Sequence, residues 1–315
     1  DIGHGPFSHA LEATLLKDVS HEHLSLKIME LLNQKFRGKL DLTIQIFKGK
    51  YHRKFFHQLV ASQLDIDRLD YLNRDSFFTG VLEGTIGAER IIKMLTIKKD
   101  RIVVEEKGIY SIENFLSARR LMYWQVYLHK TTVSAEKMII QLVSRAKTLL
   151  QKDKEIFCGP QLRLFLETNY RLKDFDRQPE LLEAYASLDD FDIWGAIKEW
   201  QTHPDPILSG ISKMLLTRNL FQIRMSNKPA KNQEIQQLCR SIQNKFKLER
   251  KDALCLLDHG TLSNAAYISR GPGINILHKD GRVEDIAQAS DLPNIKAMSK
   301  IVKKYYLCWP KSVNL

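Results

Sequence analysis

The sequence predicts a mainly α-helical chain with small β-hairpins and a small mixed α/β piece near its end. Three observations carry that expectation. Apolar residues recur at helical spacing along most of the chain, β-prone runs are confined to a few short places, and only 15 Gly and 9 Pro interrupt 315 residues.

Taken in order, Ser8 to Leu15 can be helical behind a bend made by Gly3, Gly5 and Pro6. Ser20 with Glu22 reads as a helix start, after which Leu24, Ile28, Leu31 and Leu32 fall at i, i+4, i+7 and i+8 on one face. Gln58 to Ser76 repeats the pattern, with Ile66, Leu69 and Leu72 as its apolar side. Thr96 to Glu105 holds two short β-prone runs about a polar turn, which predicts a hairpin. Ser111 to Leu150 is a long helical stretch, with a break expected at the β-branched run Thr131, Thr132, Val133. Helical patterning continues beyond Lys152, and Ser226 to Asn232 is the best linker because it is polar, carries Pro and lacks periodicity. Ile274 to Leu277 and Val283 to Ile286 flank Asp280 and Gly281, the pair a hairpin turn favours. These elements suggest a first region over 1–150 and a second over 151–315, with a further soft boundary near 230.

Length against a prior of roughly 150 residues per domain gives about two domains. Hydrophobic residues at 43% and charged residues at 27% exclude collagen-like, low-complexity and wholly disordered chains. Lys and Arg number 48 against 37 Asp and Glu, a net +11 that would gather polyphosphate, nucleic acid or acidic membrane. The four cysteines lie far apart with no Cys-x-x-Cys pair, so neither a zinc knuckle nor a disulfide framework is expected, and a cytoplasmic setting fits. No apolar run approaches the roughly 18 residues of a membrane span, so no membrane partner is expected. The opening Asp1-Ile2-Gly3-His4-Gly5-Pro6 has neither an initiator Met nor a signal peptide and begins inside what reads as a site, so residues upstream are expected.

Three clusters carry candidate chemistry. Asp1, His4, His9 and Glu12, with His21 and His23 beyond, put six ionisable groups within 23 residues, and a His beside a carboxylate is a tunable proton donor and acceptor. Asp67, Tyr71, Arg74 and Asp75 form a polar helical stripe in which a carboxylate could hold a metal while Arg68 and Tyr71 reach phosphate oxygens. Arg119, Tyr123, Tyr127 and Lys130 interleave cations with aromatics at helical spacing, which suits phosphate and sugar. Each cluster alone also fits an ordinary solvated face, and it is their combination that points to a site.

The run from Asp1 to His9, followed by Leu64-Asp-Ile-Asp-Arg-Leu-Asp-Tyr71, Arg74-Asp75-Ser76 and Gly80, resembles the HD-domain phosphohydrolases, above all the branch of dGTP and dNTP triphosphohydrolases. The likeness runs through about residue 140. It implies an HD-domain helical bundle and a divalent metal (Mn, Fe, Zn, Ni or Mg) held by a His, a His-Asp pair and a distant Asp. Asp1 would be the Asp of that pair, Asp67 the last ligand, and both histidine ligands would lie upstream, so a chain truly starting at Asp1 is expected to be inactive. The resemblance further implies His9 beside the α-phosphate, His4 near the phosphates, and Glu12 with His21 as a supporting pair for proton transfer, although relatives more often carry Asp where Glu12 stands. His21 is preferred to His23 because Glu22 follows it. Arg68 and Arg119 would contact phosphate, with Tyr71 close by. Asp75 would accept from the sugar 3′-hydroxyl, and Tyr127 would lie against the deoxyribose. Arg68, Arg119 and Lys130 could also stabilise transition-state charge.

The expected reaction is hydrolysis of a dNTP such as dGTP to deoxynucleoside and triphosphate, in a homo-oligomer (dimer or tetramer) with nucleotide effector sites at subunit contacts. Two other readings stand beside it. An HD phosphohydrolase could act on a monophosphate, a cyclic dinucleotide or a hyperphosphorylated guanine nucleotide. Alternatively, the +11 charge could mark a nucleic-acid-binding or regulatory protein with a degenerate site, which is ranked below the enzyme.

Overall fold

A computed structural model describes residues 2–7, 9–264, 267, 273–292, 295 and 302–314. The chain opens with α1 (His9–Leu15), α2 (His21–Lys35), α3 (Asp41–Phe47), α4 (Lys54–Val60), α5 (Ile66–Thr79) and α6 (Ala88–Met94). Strands β1 (Leu95–Lys98) and β2 (Arg101–Glu105) follow, then α7 (Ile109–Met122), a π turn at Tyr123–Tyr127 and the long α8 (Lys130–Leu150). Next come α9 (Pro160–Glu167), α10 (Leu172–Arg177), α11 (Glu180–Ala186), α12 (Asp190–Trp200), α13 (Pro206–Leu216), β3 (Gln222–Ser226) and α14 (Asn232–Phe246). The chain ends with β4 (Asp258–Asn264), β5 (Asn275–Leu277), β6 (Val283–Asp285) and β7 (Val302–Trp309). This is the mainly α fold with small sheets that the sequence predicts.

Contacts gather the chain into two units, each assembled from separate segments. The first contains Asp1–Gly38, Lys130–Thr261 and Tyr305–Leu315; the second contains Lys39–His129 and Leu262–Lys304. Residues 150 and 230, where the sequence suggested boundaries, both fall inside the first unit.

In the first unit α8 is the central element. Val133, Met138, Leu142, Val143 and Ala146 recur at helical spacing and are fully buried. The helix packs against α1, α9 and α13. β3 pairs antiparallel with β7, from Gln222 opposite Trp309 to Ser226 opposite Tyr305.

In the second unit β1 and β2 form the expected antiparallel hairpin, Leu95 opposite Val104, and β5 and β6 form another, with Gly281 at φ +86° in its turn. The two hairpins join into one sheet of order β1-β2-β5-β6, because β5 runs parallel to β2. Leu69 and Leu72 of α5, Val104 of β2, Ile112, Phe115 and Leu116 of α7, and Ile276 of β5 share its core.

Three expectations are corrected. The helix expected over Gln58 to Ser76 is two helices, because buried Asp65 accepts from the Ser62 and Arg68 amides and so starts α5 afresh as its N-cap. Ile66, assigned to the apolar face, is 58% exposed, since it stands in the first turn, before the face that carries Leu69 and Leu72 turns inward. The break in the long helix precedes the β-branched run. The Leu128 amide donates to the Tyr123 carbonyl at 2.7 Å, a widened i→i+5 turn, and Thr131 to Val133 then sit in the first turn of α8, where no preceding turn crowds their side chains.

Candidate functional site

The sequence-derived residues fall into two groups, one in each unit. In the first unit the Gly-His-Gly segment is fixed by steric demand. A Cβ on Gly3 would lie 2.2 Å from the His21 carbonyl oxygen, and one on Gly5 would lie 2.3 Å from the Tyr185 hydroxyl. The Gly3 amide donates to Ser25 Oγ at 2.9 Å, and the Phe7 amide to Asp190 Oδ1 at 2.8 Å. α1 then follows, and at its far end the buried Lys147 ammonium, 7% exposed, donates to the Thr14 carbonyl at 2.9 Å and the Leu15 carbonyl at 3.4 Å. A cation is favoured there because the last carbonyls of a helix lack intrahelical donors.

This frame brings Glu12 and His21 together. The His21 amide donates to Glu12 Oε1 at 2.8 Å, while His21 Nδ1 lies 3.2 Å from Glu12 Oε2 and its Nε2 3.4 Å from Glu22 Oε1. The His4 ring stacks on His21 at 4.3 Å between centroids and 18° between planes. His23 takes a different role: its Nδ1 accepts from the Ser20 amide at 3.3 Å and closes the start of α2. The Ser20 hydroxyl holds Glu22 below the usual carboxylate range. Burial pushes the Tyr185 hydroxyl up to about 12, and the Glu12 charge adds to that shift. Tyr185 was not found from the sequence, as nothing local at residue 185 points to Gly5 or Glu12. Lys147 carried a readable signal, a lysine beside Val143 and Ala146 on the buried side of α8.

In the second unit α5, α7 and the π turn converge. Asp65, 2% exposed, pairs with Arg68 Nη1, which also donates to the Ser62 carbonyl at 2.5 Å. Arg119 on α7 is 7% exposed, and its Nε and Nη1 have no hydrogen-bond partner among the described residues. Its guanidinium carbon lies 5.9 Å from the centre of the Tyr123 ring. Tyr123 meets Tyr127 edge to face at 5.3 Å, and Tyr127 meets Tyr71 the same way at 6.0 Å. The π turn places residues 123 and 127 in this contact and aims the Tyr127 hydroxyl at Asp75 Oδ2, to which it donates at 2.6 Å. Burial pushes Tyr71 up to about 12, with Tyr123 adding to the shift and Arg119 and Arg68 opposing it. Tyr127 is raised as well, first by burial and then by its bond to Asp75.

Of the remaining candidates, Lys130 opens α8 and is exposed, and Asp67 is exposed in the first turn of α5. Asp1 and the His9 side chain lie outside the described residues. Among the described residues no three His, Cys, Asp or Glu side chains cluster so as to hold a metal ion. That donor set does not by itself fit a divalent-metal centre, since Asp67 offers one exposed carboxylate.

A family model for the HD associated region matches residues 86–156, the stretch from α6 to the end of α8 that carries Arg119 and Tyr127. The crystal structure of a phosphohydrolase from Bacteroides thetaiotaomicron is 50% identical, with a TM-score of 0.93, and the match covers 98% of this chain and 77% of that one. An uncharacterized protein of Bacillus subtilis is 29% identical across 99% of this chain and 72% of its own length. A deoxynucleoside triphosphate triphosphohydrolase SAMHD1 homolog of Dictyostelium discoideum is 27% identical over 58% of this chain and 38% of its own.

Proposed function

The chain belongs to the HD-domain phosphohydrolase family, and we propose that it hydrolyses a deoxynucleoside triphosphate, dGTP among them, to deoxynucleoside and inorganic triphosphate. One observation carries the choice of substrate: buried Arg119, with its Nε and Nη1 nitrogens unpartnered among the described residues, lies beside a tyrosine cluster whose Tyr127 is bonded to Asp75. Buried guanidinium N–H groups left without acceptors are costly in a resting protein, and an anionic ligand such as phosphate removes that cost. The likeness to the triphosphohydrolase from Dictyostelium supports the same substrate.

In this reading Arg119 and Arg68 bind polyphosphate oxygens, with Arg68 exchanging part of its Asp65 pairing for them. Tyr127 lies flat against the sugar, where a ring leaves little room for a 2′-hydroxyl, and Asp75 accepts from the 3′-hydroxyl while keeping its Tyr127 bond. Tyr71, a neutral phenol whose pKa burial raises further, donates to a phosphate oxygen. The family resemblance assigns His4 and His9 to the phosphates and Lys130 to added positive charge. Water adds to the α-phosphorus, the bond to the 5′-oxygen breaks, and that oxygen takes up a proton. The resemblance makes Glu12 and His21, in contact at 3.2 Å, the supporting pair for proton transfer. A divalent cation requirement and homo-oligomeric assembly with nucleotide effectors belong to the same reading.

Chromatography of the products from dGTP, incubated with the protein and Mn²⁺, tests the proposal. Deoxyguanosine appearing in step with triphosphate is expected. Deoxyguanosine monophosphate with pyrophosphate, or turnover only of a monophosphate or cyclic dinucleotide, would overturn the substrate assignment.

A further inference from the structure

The loop before α1 carries a conformational cost that its own sequence does not explain. Phe7 adopts φ +52°, a left-handed conformation that a bulky side chain rarely takes, and Gly3 and Gly5 on either side of His4 leave the backbone little preference of its own. Backbone of this kind persists only where its surroundings over-determine it, and such places gather at functional sites. Three separate helices pin this loop at alternate residues. The Gly3 amide donates to Ser25 Oγ of α2, Gly5 abuts the Tyr185 hydroxyl of α11, and the Phe7 amide donates to Asp190 Oδ1 of α12. The Phe7 ring also meets Trp194 of α12 edge to face at 5.8 Å.

Two of these pins come from the consecutive helices α11 and α12, and neither is needed by the helix that carries it. α12 is already capped by Asp189, whose side chain accepts from the Phe191 and Asp192 amides while the Asp192 carboxylate accepts from the Asp189 amide. Asp190 is surplus to that cap, and its carboxylate reaches the Phe7 amide, 183 residues away, at 2.8 Å. The Tyr185 ring packs edge-on against Phe165 at 5.7 Å and Phe175 at 6.5 Å, contacts that a phenylalanine would make equally. What the tyrosine adds is a hydroxyl in a residue only 4% exposed, which is unfavourable unless that hydroxyl is hydrogen-bonded. The hydroxyl meets the Gly5 backbone and stands within the field of the Glu12 carboxylate.

We infer that Tyr185 and Asp190 are positioning residues: they hold the loop from Gly3 to Phe7 in its strained form and so keep the His4 imidazole stacked on His21, 4.3 Å away, for phosphoester hydrolysis. This rests on the reading of His4 and His21 as residues of the hydrolytic site. His21 is fixed separately, by its place in α2 and by Glu12, so it is His4 whose position depends on the loop. Both residues act through His4. Misplacing a reacting group by about 1 Å can slow a reaction about a hundredfold, so the clamp acts on kcat more than on KM.

Steady-state kinetics of the full chain with Mn²⁺, on dGTP and in parallel on bis(p-nitrophenyl) phosphate, test it. Asp190→Ala should lower kcat about tenfold or more with KM within about twofold of the parent, and Tyr185→Phe should do the same. Asp190→Asn, which keeps an acceptor oxygen for the Phe7 amide, should bring kcat back to within about threefold of the parent. A purely structural role would move the unfolding temperature instead, which should stay within about 4 °C of the parent in all three variants. Hydrogen exchange resolved at the Phe7 amide reads the clamp without turnover: it should quicken about tenfold in Asp190→Ala and stay near the parent rate in Asp190→Asn. Parent kcat in both Asp190→Ala and Tyr185→Phe would overturn the inference, as would a loss of rate that Asp190→Asn shares in full, or parent exchange at Phe7 in Asp190→Ala. A parent protein that cleaves the diester and leaves dGTP intact would sink the deoxynucleotide reading alone, and the same comparison on the diester would then decide the clamp.

Discussion

Replacing Lys147 with Met separates two opposed effects that meet at one buried ammonium. Methionine nearly matches the lysine in volume, so the change leaves little cavity and removes the charge and its donors. Against the lysine stands desolvation, which pulls its pKa below the usual lysine range and means that a hydrophobe could relieve strain. In its favour stand the 2.9 Å bond to the Thr14 carbonyl and the longer 3.4 Å bond to the Leu15 carbonyl, at the end of α1. A charge-assisted bond contributes about 1.5–3 kcal/mol, and a cation at a helix C-terminus about 0.3–1 kcal/mol. Allowing about 1 kcal/mol for relieved desolvation, the hydrogen bonds win and the net cost is about 2 kcal/mol, concentrated in α1. Hydrogen exchange with mass spectrometry reads this locally. Peptides covering residues 9–17 should exchange about thirtyfold faster in Lys147→Met, since 1.4 kcal/mol is tenfold, while peptides from α5 keep parent rates. Unchanged or slower exchange in residues 9–17 would show that desolvation outweighs the capping bonds and would refute the reasoning.

Three other outcomes follow from the same geometry. Arg119→Met removes a buried cation whose Nε and Nη1 are unpartnered, so thermal unfolding should occur at the parent temperature or slightly above, while KM for the nucleotide rises at least tenfold; a destabilised variant with parent KM would contradict this. Asp65→Ala removes both the cap of α5 and the Arg68 partner and should cost about 2 kcal/mol in urea unfolding, with a loss under about 0.5 kcal/mol refuting the capping role. Tyr71 and Tyr185 have folded-state pKa values pushed up to about 12 against 10 when unfolded, so the unfolded chain releases these protons first. Their contribution to stability is therefore complete below pH 10 and lost as pH rises toward 12; urea midpoints in Tyr71→Phe and Tyr185→Phe should fall less steeply across that window than in the parent.

The elements that the sequence announced are those whose signal is local. Leu24 to Leu32 spells out α2, and Asp280-Gly281 marks the β5–β6 turn, because spacing and turn chemistry act over a few residues. The parallel pairing of β5 with β2 joins residues about 170 apart, and no pattern within either hairpin encodes it. The π turn escaped because it shifts the backbone ladder by one residue while leaving the apolar spacing of α7 intact. Asp65 and Asp67 look equivalent in sequence, and only the position of the helix start makes the first a buried cap and leaves the second exposed. Within the candidate site, the resemblance names Glu12 and His21 as a pair and Tyr127 and Asp75 separately, without the bond between them, while Tyr185 and Lys147 reach α1 and its preceding loop from distant chain segments.

Cleavage between the α-phosphorus and the 5′-oxygen is the central claim, and hydrolysis of dGTP in ¹⁸O-labelled water tests it most directly. ³¹P NMR of the products should show one isotope-shifted terminal resonance of inorganic triphosphate, with mass spectrometry finding the deoxyguanosine unlabelled. Label in the deoxyguanosine, or phosphate or pyrophosphate in place of triphosphate, would contradict the account.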